Sequence, residues 1–282
     1  MTKVGRFQVR IVRDGIYHWD GGAMFGVVPR TLWGRKIAPD ELNRIPLGLN
    51  CYLIETDEHT VLVETGGGDK MDPKARERMK MPPRPVPLRD TIAATGVDTE
   101  SIDVVINTHL HWDHCSGNTI LDPSAGIARA AFPRATYYTR RAEWEHAHER
   151  HPRDSVSYID ANYDPLVESG KMILIDSDRE IVPGVSVALA PGHNSDMMIV
   201  TASSAGETFC FFSDLVPTVF HLTPTWVPAF DLFPLQTIET RTRLLEQAAR
   251  ENWLCAFGHD AIVSFARVTR DGGKFSAVGE IS

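Results

Sequence analysis

Cysteine is scarce in this chain. Four occur in 282 residues, at Cys51, Cys115, Cys210 and Cys255, and no two form a C-x-x-C pair. A disulfide framework is therefore not expected, and the thiols read as reduced, buried small hydrophobes. Cys115 directly follows His114, and its bland role is to fill space behind a site. Positive charge is also short: 29 Lys and Arg face 37 Asp and Glu, for a net charge of -8. That balance argues against a nucleic-acid partner, which wants a basic face, and against attraction to an anionic membrane. Long apolar runs are missing, so no transmembrane span is expected. Met1–Arg6 lead into no apolar h-region, so a signal peptide is not expected and a cytoplasmic location follows by default. No Ser/Gly linker interrupts the chain. With 43% hydrophobic residues, one domain over residues 1–282 with a sizeable core is the expectation.

Short strand candidates recur along the chain. Phe7–Val12 comes first, then a turn at Asp14-Gly15 and an irregular apolar loop from Tyr17 to Pro29, whose glycines and proline oppose a regular helix. Leu49–Glu55 and Thr60–Glu64 read as a hairpin around Thr56–His59, broken by Gly66-Gly67-Gly68. A charged, proline-rich connection from Asp69 to Pro87 precedes a helix at Leu88–Thr95. Ile102–Ile106 is a β-branched run suited to burial on both faces. Ala135–Tyr138 follows as a strand, then a charged helix at Arg140–Arg150. His146 and His148 on it, His151 just after it, and His59 earlier are expected to be solvated. Met172–Ile175, Val185–Leu189, Met197–Thr201, Thr208–Phe212 and Trp253–Phe257 complete the strands. A helix from about Gln236 to Arg250 buries Ile238, Leu244, Leu245 and Ala248. Two such halves packed face to face give a four-layer αββα sandwich of the α/β (α+β) class.

Histidine is concentrated where it is chemically useful. Thr108-His109-Leu110-His111-Trp112-Asp113-His114 places four donors within six residues, directly after the buried Ile102–Ile106 strand. The C-terminal end of a central strand is where open α/β sheets hold their ligands. If the segment stays extended, His109 and His111 point to one side, and Asp113 and His114 aim at a second point from the turn. Imidazole and carboxylate without cysteine suit Zn²⁺, with Fe, Mn or Co as alternatives. His193, Asp214 and His259 also follow apolar strands. Seven donors are too many for one catalytic zinc and about right for two divalent metal ions. A hydroxide held between two metals would be a nucleophile at neutral pH, and Asp113 is placed to pass a proton to a departing alkoxide.

The pattern H-x-H-x-D-H followed by His193, Asp214 and His259 resembles the metallo-β-lactamase superfamily, over nearly the whole chain. The resemblance implies the αββα fold, one metal on His109, His111 and His193, another on Asp113, His114 and His259, and Asp214 bridging both. His111 separates the chain from the flavodiiron oxidoreductases, which resemble this layout but usually have Glu there. Asp20–Pro29 and Asp214–His221, with Trp226 and Phe230-Asp231, look like the quorum-quenching lactonases of the YtnP type. That resemblance implies opening of N-acyl-homoserine lactones or related esters. Three places depart from the pattern: Pro217 stands where related lactonases have Tyr, Glu64 where the superfamily usually has Asp, and Asn194-Ser195-Asp196 form a stretch where many relatives have a glycine.

The substrate expected is a small molecule with an apolar portion, held by Met24, Phe25, Trp33, His221 and Trp226, with Trp19, Phe220 and Phe233 as further walls. The same residues could instead be core or dimer contacts, and a homodimer is allowed. His221 could donate to a carbonyl oxygen in place of the missing Tyr, or cap its loop. A phosphotriesterase or aryl esterase of the same fold is the nearest alternative, and a metal-binding sensor without turnover the alternative from another class.

Overall fold

The β-branched runs become the inner strands of two seven-stranded sheets. The computed structural model describes residues 1–82, 86–122 and 128–281; residues 83–85 of the proline-rich connection and Ser282 of the expected single domain lie outside them. The first sheet contains β1 (Thr2–Val4), β2 (Phe7–Asp20), β3 (Arg44–Glu55), β4 (Thr60–Val63) and β5 (Val104–Ile106). β6 (Thr119–Leu121) and β7 (Ala128–Ala130) form a separate hairpin, and β8 (Thr136–Arg140) and β9 (Met172–Ile175) finish the first sheet. The second sheet runs in sequence order through β10 (Arg179–Val182), β11 (Val185–Leu189), β12 (Met198–Ser204), β13 (Glu207–Phe211), β14 (Leu254–Ala256), β15 (Phe265–Asp271) and β16 (Lys274–Ile281).

Each sheet buries both faces, which makes four layers. Between the sheets Val9, Tyr52, Ile54 and Val63 meet Val187, Val200, Phe209 and Phe211. Outside the first sheet, Leu53 and Val105 pack under α4 (Leu88–Ala93), α6 (Arg141–Glu149) and α7 (Asp164–Glu168), through Ile92, Ala147 and Leu166. Outside the second, Ile199 and Cys255 pack under Leu244, Leu245 and Ala248 of α8 (Pro234–Glu251). The expected αββα sandwich is what the chain forms. All four thiols are buried and unpaired with one another. Among the described residues no helix is long and apolar enough to cross a membrane.

Strand direction brings the site together. β4 and β5 are parallel neighbours, and so are β13 and β14. Parallel strands release their following loops at the same end. The loop after β5 carries the histidine cluster, while Asp214 and His259 lie three residues beyond the ends of β13 and β14.

Two expectations at the N-terminal side are corrected. Asp14-Gly15 is not a turn: β2 runs on to Asp20, and its register on β3 shifts between Arg13 and Gly15. Asp14 is the extra residue of a bulge, and one inserted residue sends the following side chains to the opposite face. The irregular loop is mostly ordered, as the end of β2 and then α1 (Gly21–Phe25), which Asp20 caps by accepting from Ala23 N–H at 2.8 Å. The hairpin β15–β16 was not expected from the sequence.

Candidate metal centre

Seven side chains converge at the shared strand ends. His109, His111, His193 and Asp214 place ligand atoms within 4.8 Å of one another, and so do Asp113, His114 and His259. Asp214 joins the two groups. Its Oδ2 lies 3.3 Å from His193 Nε2 and 3.9 Å from His109 Nε2. Its Oδ1 lies 2.9 Å from His259 Nε2 and 3.3 Å from His114 Nε2. One carboxylate thus offers one oxygen to each group. The local conformation is set by α5 (Trp112–Cys115), which follows His111 at once and turns Asp113 and His114 away from His109 and His111.

Hydrogen bonds behind the rings decide which nitrogens are free. His259 Nδ1 sits 2.9 Å from the Gly48 carbonyl oxygen, which can only accept, so Nδ1 carries the proton. His193 Nδ1 likewise donates to Asp231 Oδ1 at 2.9 Å. Thr108 Oγ1 touches Glu64, Ser213 at 2.7 Å and His109 Nδ1 at 3.1 Å. A hydroxyl has one proton, and the Glu64 carboxylate takes it, so Ser213 and His109 Nδ1 are the donors. The inward Nε2 atoms of His109, His193 and His259 therefore present lone pairs. They face Asp214, which also has only lone pairs to offer.

This is the fit expected for divalent cations. His109 Nε2, His111 Nε2 and Asp214 Oδ1 are buried without a hydrogen bond. An unpartnered buried acceptor costs about 1–3 kcal/mol, and acceptors that crowd one another cost more. Cations between them would turn each lone pair into a ligand bond. The electrostatics of the site make the same demand for positive charge. Burial and the neighbouring histidines hold His109 well below its usual range. Burial alone would do the same to His114, His193 and His259, but Asp214 together with Asp113, Glu64 or Asp231 outweighs it and raises all three. Asp214 is held well below the carboxylate range, against the effect of burial, by His114, His259 and His193.

A buried frame supports the ligands. Glu64 reaches further than the expected Asp would, from a backbone at φ +62°. It accepts from Thr108 N–H at 3.2 Å and sits 3.4 Å from His114 Nδ1. Ser213, beside Asp214, is also left-handed at φ +50°; strain of this kind collects where a site must hold a fixed shape. Glu143 accepts from Leu110 N–H at 2.8 Å, Tyr158 O–H at 3.1 Å and Asn194 Nδ2 at 2.7 Å. It thereby ties the His109–His111 loop to the loop of His193. Burial pushes its carboxyl up to about 7. Cys115 is buried, its Sγ 3.2 Å from the Leu110 carbonyl oxygen, a filler behind the ligands.

Above the ligands lies a cavity of about 390 Å³, floored by His111, Asp113, His193, Asp214 and His259. Its walls are largely apolar: Tyr17, Trp19, Ala23, Met24, Trp112, Val156, Ala229 and Phe230, with Arg153 and Asp154 on one side. Met24 lines the cavity as expected from the sequence. Phe25, Trp33, His221 and Trp226 do not, and that expectation is corrected. Phe25 and Trp33 are fully buried and stacked at 5.3 Å. Trp33 fills the space over Gly21, where a Cβ would come within 2.4 Å of the ring. Trp226 packs edge-on against Phe25. His221 is held near pKa 3 by burial, so it is neutral. It bonds Met24 O at 2.9 Å and Thr218 Oγ1 at 2.8 Å, so both ring nitrogens are occupied. It braces the cavity wall from behind. Phe220 and Phe233 are also off the lining.

Tyr17, Glu143, Tyr158 and Asp231 are site residues that the pattern of ligands did not disclose. Tyr17 O–H donates to Asp113 Oδ2 at 3.1 Å, and its ring stands edge-on to Trp112 and His259. Burial, then Asp113 and Asp214, push its phenol well above the usual range. Tyr158 stands edge-on over His111 at 4.8 Å. The remaining histidines stay outside the site. His146 is half-buried against Asp154 at 2.8 Å rather than solvated, His148 bonds Asp164 at 3.1 Å, and His59 bonds Asp103 at 2.9 Å.

Comparison with known proteins agrees with this geometry. An N-acyl homoserine lactonase of Bacillus sp is 26% identical over 239 residues, covering 79% of this chain and 85% of the lactonase. The crystal structure of a probable metal-dependent hydrolase from Staphylococcus aureus matches with a TM-score of 0.90 at 29% identity, over 99% of this chain and 98% of that one. AidC, a dizinc quorum-quenching lactonase solved with a product, matches with a TM-score of 0.80 at 20% identity, over 100% and 97%; at that identity the likeness concerns the fold. The model of the metallo-β-lactamase superfamily matches residues 44–259, a span that holds all seven converging side chains, and the chain belongs to that superfamily.

Proposed function

We propose that this protein is a binuclear metal hydrolase that opens lactones carrying an apolar arm, N-acyl-homoserine lactones or closely related esters. The observation that carries the reading is Asp214, with one oxygen toward each group of imidazoles at the floor of an apolar cavity. His109, His111 and His193 would hold one cation and Asp113, His114 and His259 the other, with Asp214 shared, and zinc is the metal the donor set suits best. Two bound cations would supply an activated water at neutral pH and an electropositive seat for the carbonyl oxygen.

The chain's own residues do the rest. Met24, Trp19 and Phe230 exclude water and hold an acyl chain. Met24 is placed by the His221 bond to its carbonyl oxygen. As the acyl carbon gains an oxygen from water, the ring C–O bond breaks and the leaving oxygen keeps the electron pair. Asp113, which faces the cavity, passes the water-derived proton to that alkoxide, giving an open-chain hydroxy acid. The lactonase names of the sequence relatives support this substrate class.

The test is a hydrolysis panel on metal-quantified protein, with acyl-homoserine lactones of several lengths, simple lactones, aryl esters and paraoxon. The expected result is two metals per chain and the highest kcat/KM on acyl lactones. Paraoxon turnover far above that of any lactone would instead make the protein a phosphotriesterase, and loaded protein with no turnover would make it a sensor. Asp214→Ala should lower metal content and abolish hydrolysis.

A further inference from the structure

Pro217 removes the phenol that related lactonases place three residues after the bridging carboxylate, yet a phenol reaches this site from elsewhere. Tyr17 arrives from β2, far away in the chain. Without the bulge at Asp14 its side chain would share a face with Val9 and Ile11, in the core between the sheets. The inserted residue reverses the alternation, so Tyr17 pairs with Leu47 and turns to the other face, beside the metal ligands. There it is buried on all sides except toward the cavity, which it lines. Its hydroxyl is 3.1 Å from Asp113 Oδ2, and Trp112 and His259 clamp its ring edge-on at 5.5 and 5.9 Å. Other polar groups on the lining are less suited. Arg153 is bonded to the Ala229 carbonyl oxygen, and Asp154 is held by His146 at 2.8 Å.

We propose that the Tyr17 hydroxyl is a catalytic hydrogen-bond donor to the carbonyl oxygen of the substrate, the role left open by Pro217. The assignment rests on the ester-hydrolase reading above. At rest the phenol O–H donates to Asp113 Oδ2. When the substrate carbonyl enters beside Asp113, the hydroxyl rotates its single proton onto the carbonyl oxygen. As water oxygen bonds to the acyl carbon, a water proton passes to the Asp113 carboxylate, the C=O π pair moves onto the carbonyl oxygen, and the hydrogen bond from Tyr17 strengthens. The pair then returns, the ring C–O bond breaks, and the alkoxide takes its proton from Asp113. Tyr17 keeps its own proton throughout. Only a donor that binds the developing charge more tightly than the ground state accelerates the step.

Tyr17→Phe tests this with little risk to folding, since the ring packing is kept. Loss of one such donor typically lowers kcat by about 10²–10³-fold. The expectation is a fall of about 10²-fold in kcat on an acyl lactone, KM within about threefold and unchanged metal content. Affinity for an alkylphosphonate monoester, whose anionic oxygens imitate the tetrahedral oxygen, should fall in parallel in a calorimetric titration. A role confined to orienting Asp113 predicts that Tyr17→Phe costs nothing further in an Asp113→Asn background; that result, or a loss of activity that tracks a loss of metal, overturns the proposal. So does an unchanged kcat. If loaded wild type turns over no lactone or ester, the hydrolase reading falls by itself. Phosphonate affinity then decides Tyr17 alone, and equal binding by wild type and Tyr17→Phe overturns the assignment.

Discussion

Asp231 offers a way to weaken one of the two proposed metals and spare the other. Its side chain is fully buried, with Oδ1 accepting from His193 Nδ1–H at 2.9 Å and Oδ2 accepting from Thr237 O–H at 2.8 Å. The backbone around it zips onto the same loop, Leu232 N–H donating to His193 O and Phe233 N–H to Gly192 O, both at 2.9 Å. The ring of His193 is therefore positioned twice, by main chain and by carboxylate, but its proton is fixed on Nδ1 by the carboxylate alone. Hydrogen bonds with a charged partner contribute about 1.5–3 kcal/mol and neutral ones about 0.5–1.5 kcal/mol. Asp231→Asn keeps an acceptor and loses the charge, so about 1–1.5 kcal/mol of support is removed, near tenfold in affinity. Asp231→Ala removes the acceptor too, and a loss of about 10–100-fold is expected for such a change behind a metal ligand.

The loss should fall on one site. His193 groups with His109 and His111, whereas Asp113, His114 and His259 are fixed by other partners, including Gly48 O and Glu64. Competition against a chromophoric chelator, with metal quantified by mass spectrometry, should show one metal leaving earlier in Asp231→Asn, earlier still in Asp231→Ala, and the second leaving as in wild type. Equal weakening of both metals would refute independent support of the two groups. Asn behaving as badly as Ala would show that charge, rather than the acceptor, is what His193 needs.

Other perturbations are equally specific. Arg241 of α8 is fully buried and donates to Leu215 O, Trp226 O and Pro224 O at 2.6, 2.7 and 3.1 Å, which pins the loop after Asp214. Arg241→Met should destabilise by about 2–4 kcal/mol in urea titration, because three carbonyls lose their donor while the burial of a cation is relieved; an unchanged midpoint would contradict this. Burial raises Asp14 to about 6, against its bonds from Gly68 and Gly67 N–H. The folded state therefore holds a proton that the unfolded state releases from pH 3.8 upward, and stability falls as pH rises from about 4 to 6. Asp14→Asn cannot titrate, so its stability relative to wild type should rise by about 3 kcal/mol across that window in metal-free urea titrations; a flat difference would be inconsistent. Phe25→Ala should lower stability by about 3–5 kcal/mol with KM nearly unchanged once folded. Met24→Ala should in addition raise KM for long acyl chains, by about 10–150-fold, since burying a Met side chain is worth about 1.5–3 kcal/mol.

The seven converging side chains were legible because each announces itself locally. A short apolar run, then a histidine or aspartate within a few residues, marks a strand end, and strand direction does the gathering. Asp113 and His114 are set apart from His109 and His111 because they lie on the turn of helix that Trp112 begins. The fold was legible in the same way, from runs such as Val104–Ile106 that suit burial on both faces. β15 and β16 escaped because polar residues dominate Thr269–Ser276, and exposed strands of that kind carry little apolar signal.

What the local pattern hides are residues whose role depends on a partner far off in the chain. Glu143 sits in a helix rich in Arg, Glu and His and reads as solvated, yet its partners Leu110, Tyr158 and Asn194 lie 33, 15 and 51 residues away. Asp231 is one carboxylate in a proline-flanked loop until His193, 38 residues back, is seen to need it. The aromatic loops misled for a related reason: size and apolarity do not say which side of a wall a ring occupies. Phe25 and Trp33 form the back of that wall, and Met24 and Trp19 its front, because Asp20 caps α1 and the turn of that helix sends neighbours in opposite directions. Tyr17 is the extreme case. Its orientation is set by the single inserted residue at Asp14, which reads as a turn in a sequence and acts as a switch of face in a strand. Asp14 and Tyr17 are therefore coupled in a testable way: deleting Asp14 should restore the simple alternation, swing Tyr17 toward the core between the sheets, and cost at least the activity lost in Tyr17→Phe.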